Sequence, residues 1–191
     1  HYFYDNVEDT SLMETESALP DDVITTYIDK AKPGYGLTDV ENLPLTITRD
    51  GDNEINVYYE KDAYGYTIKY FYEKMDEEGV FEEDTDAKEE GTKLYGSTIE
   101  EADIPDKCIA GYELDRIETV PLTITDDTDE NVIKVYYARA EYNYEVHYFY
   151  DGEDDESKTA FASAKYGEEI SSYTDKNITG YRLEKTENKP L

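Results

Sequence analysis

Apolar and polar side chains alternate with a period of two in several short stretches of this chain. That is the signature of strands with one buried face. Tyr66, Ile68, Tyr70 and Tyr72 fall on one side of such a stretch, with Thr67, Lys69 and Phe71 on the other. Tyr144, Val146, Tyr148 and Tyr150 repeat the pattern. A loop and a second strand around residues 85–94 are expected next. Ser97, with Glu100 three residues on, reads as a capping box opening a short helix through Ile99 and Ala102 that stops near Pro105. Ile24 with Tyr27, and Ile170 with Tyr173, hold the equivalent places. Three short strands follow, with Tyr112 and Leu114, then Leu122 and Ile124, then Ile133, Val135 and Tyr137 facing inward. This order predicts an α+β fold in which the helix covers one face of a sheet.

The same landmarks recur in the same order. Gly34-Tyr35, Gly111-Tyr112 and Gly180-Tyr181 are spaced 77 and 69 residues apart. Leu45-Thr46-Ile47-Thr48 returns as Leu122-Thr123-Ile124-Thr125, each after a proline, and Val57-Tyr58-Tyr59 returns as Val135-Tyr136-Tyr137. His1-Tyr2-Phe3-Tyr4 returns as Lys69-Tyr70-Phe71-Tyr72 and as His147-Tyr148-Phe149-Tyr150. Four ordered landmarks define an internal repeat. The repeats run over residues 1–63, 64–140 and 141–191. By this division the middle repeat is complete, the first lacks the start of its opening strand, and the third lacks its closing strands. The expectation is a piece of a longer array; lateral or end-to-end assembly into a fibre is a further option, with the cut edge of the third repeat accepting a strand from a neighbour, although that open edge also follows simply from where this stretch is cut.

Charge narrows the partners. The chain of 191 residues carries a net charge of −30, and the repeats contribute −11, −13 and −6. An acidic surface of this kind repels phosphate backbones and anionic bilayers, which argues against nucleic acid and membrane-surface partners. Low hydrophobicity with high charge is also a signature of disorder. The 21 tyrosines oppose that, because they sit in alternating strand patterns. No run of about 18 apolar residues is present, so no spanning helix is expected in this stretch. The single cysteine, Cys108, excludes an internal disulfide and reads as a small core residue. Glutamine is absent, so neither a Cys-Gln thioester nor a Thr-Gln ester can form.

The frame Tyr66-Thr-Ile-Lys-Tyr, Ile109-Ala-Gly-Tyr-Glu-Leu, Pro121-Leu-Thr-Ile-Thr and Asn131-Val-Ile-Lys-Val-Tyr-Tyr resembles the mucin-binding-protein (MucBP) repeat of Gram-positive surface proteins. The resemblance covers nearly the whole chain. It implies tandem ubiquitin-like β-grasp repeats, four to five strands and one short helix each, in an elongated array. It also implies an extracellular, cell-surface or wall-attached location and host mucin or other glycoproteins as partners. It supplies no site residue.

Candidate chemistry is sparse. His1 and His147 share a register that Lys69 fills in the middle repeat, which suits a solvated strand face better than catalysis or metal ligation. No Ser-His-Asp arrangement, Walker loop or dinucleotide fingerprint is present, so the chain is expected not to be an enzyme and to need no cofactor. A Lys-Asn isopeptide crosslink would need a buried trio that does not recur. Three acidic turns crowd oxygen donors as calcium requires: Asp50 and Asp52; Asp126, Asp127 and Asp129; Asp151 and Asp154. Asp, Asn and Gly equally favour plain hairpin turns. The outward aromatics Tyr58, Phe71, Tyr136 and Phe149 are candidates for stacking on neutral sugars, or else for cross-strand pairing. The linkers Glu60-Lys61-Asp62-Ala63 and Ala138-Arg139-Ala140-Glu141 are short and lack a Gly-Ser stretch, which predicts limited bending. Two readings of function follow: an acidic adhesive stalk that contacts host glycans, or a passive spacer or fibre-forming segment.

Overall fold

A computed structural model describes all 191 residues, His1–Leu191. Repeat 1 contains β1 (Tyr2–Tyr4), β2 (Val7–Glu8), β3 (Val23–Ile24), β4 (Tyr35–Glu41), β5 (Leu45–Thr46) and β6 (Asn56–Lys61). Repeat 2 runs in the same order through β7 (Ala63–Glu73), β8 (Phe81–Leu94), β9 (Thr98–Ile99), β10 (Tyr112–Glu118), β11 (Leu122–Thr123) and β12 (Val132–Arg139). Repeat 3 has β13 (Glu141–Val146), β14 (Phe149–Tyr150), β15 (Glu153–Asp154) and β16 (Ala160–Lys165). Two four-stranded sheets have the orders β2-β1-β6-β4 and β8-β7-β12-β10, so the closing strand of each repeat lies inside its sheet, beside the opening strand. Packing divides the chain into two compact units, residues 1–68 with 89–105 and 119–133, and residues 69–88 with 106–118 and 134–191.

The fold is nearly all β, with no α-helix, and this overturns the α+β, β-grasp expectation. Where the helix was expected, Thr98 and Ile99 form β9, paired antiparallel with β11 so that Ile99 faces Leu122. Ile24 faces Leu45 in the same way, and the backbones of Ile170 and Leu191 exchange hydrogen bonds of 2.8 and 3.3 Å. Only a single 3-10 turn, Glu101–Asp103, follows β9, and its capping box is Glu100 with Asp103 rather than Ser97 with Glu100. The physical reason is length. Fewer than eight residues before Pro105 cannot offset helix nucleation, whereas β-branched Thr98 and Ile99 gain a ready-made partner strand.

Tyrosine hydroxyls hold down the irregular segment that stands in the helix's place. Tyr2 and Tyr4 donate to the carbonyls of Ile28 and Lys30 at 2.7 and 2.5 Å. Tyr72 donates to Lys107 O at 2.6 Å, Tyr148 donates to Thr174 O, and Tyr150 donates to Lys176 O at 2.5 Å. Tyr59 and Tyr137 donate to the carboxylates of Asp29 and Asp106 and accept from the amides of Lys30 and Lys107. Burial and the adjacent carboxylate push both phenols well above the usual range. A segment without its own backbone ladder must find such partners, and strand-borne phenols supply them.

The core is the predicted one in repeats 1 and 2. Tyr2, Tyr4, Val57 and Tyr59 form a buried cluster in repeat 1. In repeat 2, Ile68, Tyr70, Ile99, Leu122, Ile124, Ile133, Val135 and Tyr137 are buried. Leu114 departs from expectation and is 49% exposed. A register shift between Leu114 and Arg116 breaks the alternation of β10, as one between Leu37 and Asp39 does in β4. Cys108 is also exposed rather than in the core, with Sγ 3.0 Å from Tyr112 O. It lies on the irregular segment, outside any strand. No residue of 141–191 reaches the buried class.

Candidate functional site

The acidic turns fold as turns. Thr48 N donates to Asn53 Oδ1 at 2.9 Å and Asn53 Nδ2 returns to Thr48 O at 2.8 Å. Asn131 staples Thr125 in the same manner and is fully buried, its Nδ2 reaching Gly65 O as well. Asp50 and Asp52 are exposed beside the first staple. Asp126 lies exposed-side in the second turn, while Asp127 Oδ1 accepts from Asp129 N at 3.0 Å. Asp151 accepts from the Tyr181 hydroxyl, and Asp154 contacts His147 Nδ1 at 3.0 Å. Asp127, Asp151 and Asp154 are engaged within the protein while Asp50, Asp52 and Asp126 face solvent, and no group of three or more His, Cys, Asp or Glu side chains is arranged to hold a metal ion. The structure brings no calcium ligand set together.

Three of the four outward aromatics are paired across strands. Phe3 stacks on Tyr58 and Phe71 on Tyr136, both with centroids 4.8 Å apart. Phe81 meets Tyr136 edge-on, and the Arg116 guanidinium covers the same ring at 3.8 Å. Phe149 has no such ring and is 63% exposed. The His/Lys register meets a carboxylate of the neighbouring strand in every repeat: His1 with Glu8, Lys69 with Glu83, His147 with Asp154. Asp154 first, then Glu145, raises the imidazole pKa of His147.

The groups with the most constrained geometry lie where one repeat meets the next. At the first junction Gly34, at φ +76°, lies under the Tyr95 ring, and a β-carbon there would stand 2.1 Å from the ring. Asp62 N donates to Gly34 O at 2.9 Å and Asp62 O accepts from Tyr95 N at 2.9 Å. The linker residue therefore bonds to both repeats. The second junction copies this with Gly111 at φ +88° beneath Tyr166, at 2.4 Å, and with Ala140 in the bridging role at 2.9 and 2.8 Å. Only glycine takes this φ without strain and leaves room for the ring. The linkers are almost entirely strand: one residue, Asp62, separates β6 from β7, and one, Ala140, separates β12 from β13.

The second junction adds charge. Glu73, at the end of β7, is 2% exposed. Its Oε1 accepts from Gly79 N at 2.7 Å and from Lys165 Nζ at 3.0 Å, and its Oε2 accepts from Arg139 N at 2.9 Å. Burial alone would raise its pKa, but these donors outweigh it and hold the carboxyl at about 2. Arg139 is 7% exposed, and its Nη1 donates to Met75 O and Tyr166 O, tying the two repeats. An open hollow of about 600 Å³ beside the cluster is rimmed by Asp76, Glu78, Glu141, Glu168 and Glu169. Neither Glu73 nor the docking Tyr95 and Tyr166 were singled out in the sequence. The recurring pairs Tyr95-Gly96 and Tyr166-Gly167 were the available signal.

No protein-family model matches the chain, and no curated protein matches it in sequence. No helix is long and apolar enough to cross a membrane.

Proposed function

We propose that this chain is a non-catalytic tandem-repeat stalk segment of an adhesin-type cell-surface protein of the MucBP kind, extracellular and wall-attached in its parent, whose task is to hold a distal part away from the surface. The observation that carries this reading is the duplicated junction: two linkers bond to both of their repeats through the same glycine, tyrosine and backbone groups. A joint that is hydrogen-bonded on both sides resists bending, and resistance to bending is what a stalk requires. The acidic surface keeps neighbouring stalks apart. Small-angle scattering of the whole chain tests it. A stiff rod-like profile, insensitive to added denaturant well below unfolding, is expected; a profile of freely jointed beads sinks the reading.

Contact with host mucin or other glycoproteins is the second reading, favoured by exposed Phe149 and by Phe161, which is 75% exposed. Both rings offer faces to neutral sugars. A glycan array probed with the whole chain, with and without calcium, separates the two. Specific binding lost on Phe161→Ala assigns an adhesive role, and silence in both conditions leaves the spacer.

A further inference from the structure

The three buried polar or charged residues of the chain, Glu73, Asn131 and Arg139, all lie at the ends of one strand pair. β7 and β12 are neighbours in the sheet of repeat 2. Near the start of the pair Thr67 N donates to Asn131 O at 2.9 Å. Further along, Phe71 stacks on Tyr136 and Tyr72 on Tyr137, and at the far end Arg139 N donates to Glu73 Oε2 at 2.9 Å. The partners rise together along both strands. The pair is therefore parallel, as β1 and β6 are in repeat 1.

Parallel order fixes how tension reaches the repeat. The chain enters β7 from β6 through Asp62 and leaves β12 for β13 through Ala140. In a parallel pair the first residue of one strand and the last residue of the other lie at opposite ends. Tension carried along the backbone therefore draws β7 and β12 past each other along their own axes, and the ladder bonds share the load. Pulling the same strands apart from one end breaks those bonds one after another. Sliding is opposed by the side chains, because a slip of one residue turns each of them to the other face. It would withdraw Ile68, Tyr70, Ile133 and Val135 from the core and take the Tyr137 hydroxyl from Asp106 and from the Lys107 amide.

Both ends of the pair are withdrawn from water, where a ladder otherwise frays first. At the start, fully buried Asn131 donates through Nδ2 to Gly65 O at 3.1 Å and to Thr125 O at 2.8 Å. At the far end the buried Glu73 carboxylate holds the amide of Arg139, the last residue of β12, and is itself held by Gly79 N and Lys165 Nζ. In repeat 1 the corresponding Asn53 and Asp5 are exposed.

We propose that β7 and β12 form a shear clamp that carries tensile load through repeat 2, with Asn131 and the bond from Arg139 N to Glu73 as its two end locks. The use of such a clamp rests on the stalk reading, which it extends from bending to tension; its mechanics do not.

Optical tweezers test the clamp on the whole chain, carrying Cys108→Ser and attachment points at exposed residues. Glu60→Cys with Glu141→Cys loads the pair in shear, and Glu60→Cys with Glu130→Cys loads it from one end. At one loading rate, rupture in shear is expected at a force at least about twofold higher, because several ladder bonds must fail together rather than singly. Glu73→Ala should lower the shear force and leave the one-end force unchanged, since in that geometry the Glu73 end opens last. Equal forces in the two geometries overturn the proposal. So does a Glu73→Ala loss of equal proportion in both, which would make the buried carboxylate a source of general stability alone. The comparison of geometries uses the native cluster, so it decides the matter even where Glu73→Ala fails to fold. A jointed-bead scattering profile with a higher shear force removes the stalk and keeps the clamp; a stiff rod with equal forces does the reverse.

Discussion

The two junctions share one backbone clip and differ in what surrounds it. Gly34 under Tyr95 and Gly111 under Tyr166 have the same φ sign, ring contact and bridging linker residue. Asp5 and Lys61 hold in repeat 1 the positions that Glu73 and Arg139 hold in repeat 2, but they stay in solvent. Their nitrogen and oxygen are 3.9 Å apart, with side chains 46% and 37% exposed, against 1% and 6% for Glu73 and Arg139. The cause is the turn after the opening strand. Asp5-Asn6 is a two-residue hairpin with both φ angles positive. The loop after Glu73 is longer, folds Gly79 N onto the carboxylate, and carries Met75 to within 2.7 Å of where a β-carbon on Gly167 would lie. Loop length thus decides whether the same pair of positions is a surface ion pair or a buried clamp between repeats.

That contrast breaks most sharply at the buried carboxylate. Glu73→Ala leaves Arg139 and Lys165 without their anion inside the joint, a change that costs about 3–5 kcal/mol when a buried pair loses one partner. Asp5→Ala removes an exposed pair and costs less than about 1 kcal/mol. Hydrogen exchange of the bridging amides, Ala140 and Tyr166 against Asp62 and Tyr95, reads the two joints separately. Equal loss of protection in both variants would show that the charged cluster adds nothing to the second junction.

Acid offers the same comparison without mutation. The Glu73 carboxyl is held at about 2, below the 4.5 of a free glutamate. The sign follows from the depressed value: the extra stability is present in full above pH 4.5 and is lost as pH falls through 2. A shift of that size corresponds to about 3 kcal/mol. Between pH 4.5 and 2 the second junction should open progressively more than the first, as followed by exchange at Tyr166 against Tyr95. Parallel loss at both joints would place the acid sensitivity elsewhere.

Substitution of the glycines probes what the joints share. Gly34→Ala and Gly111→Ala each put a β-carbon into a tyrosine ring at a positive φ, a strain of about 1–2 kcal/mol before the clash is counted. The two costs should agree, and Tyr95→Ala or Tyr166→Ala should recover only the clash. A large difference between the two sites would mean that the charged cluster already fixes the second joint without the glycine.

The parts of this architecture that were readable from sequence are those that repeat in register. Alternation at Ile68 and Tyr70, and at Ile133, Val135 and Tyr137, located the core because burial on one face imposes a period of two. The Gly-Tyr anchors were legible as landmarks of the repeat, and folding brings Gly34 and Gly111 to the joints. The helix was misread because Ser97 and Glu100 satisfy a local rule that says nothing about the partner strand at Leu122. Cys108 was misplaced because its exposure depends on an irregular segment pinned by Tyr72 and Tyr137 from 30 or more residues away. The docking tyrosine was hidden because Pro20 stands in its place in repeat 1, leaving two copies of Tyr-Gly rather than three. Glu73 was hidden among 48 acidic residues, since nothing local distinguishes a carboxylate that a loop will cover.

The smallest predicted effect sharpens the comparison from the other side. Lys165 precedes the docking Tyr166 as Leu94 precedes Tyr95, so Lys165→Leu gives the second junction the first one's residue. It removes contacts of 3.0 Å to Glu73 and to Glu78, but the lysine is 30% exposed and Glu78 is 75% exposed, so water already screens much of the attraction. Arg139 N and Gly79 N still hold the carboxylate. The expected loss is therefore about 1 kcal/mol or less, accompanied by a rise in the pKa of Glu73, visible as an acid transition of the second junction at higher pH. A loss as large as that of Glu73→Ala would mean that lysine, not the loop and the Arg139 backbone, keeps the buried charge in place.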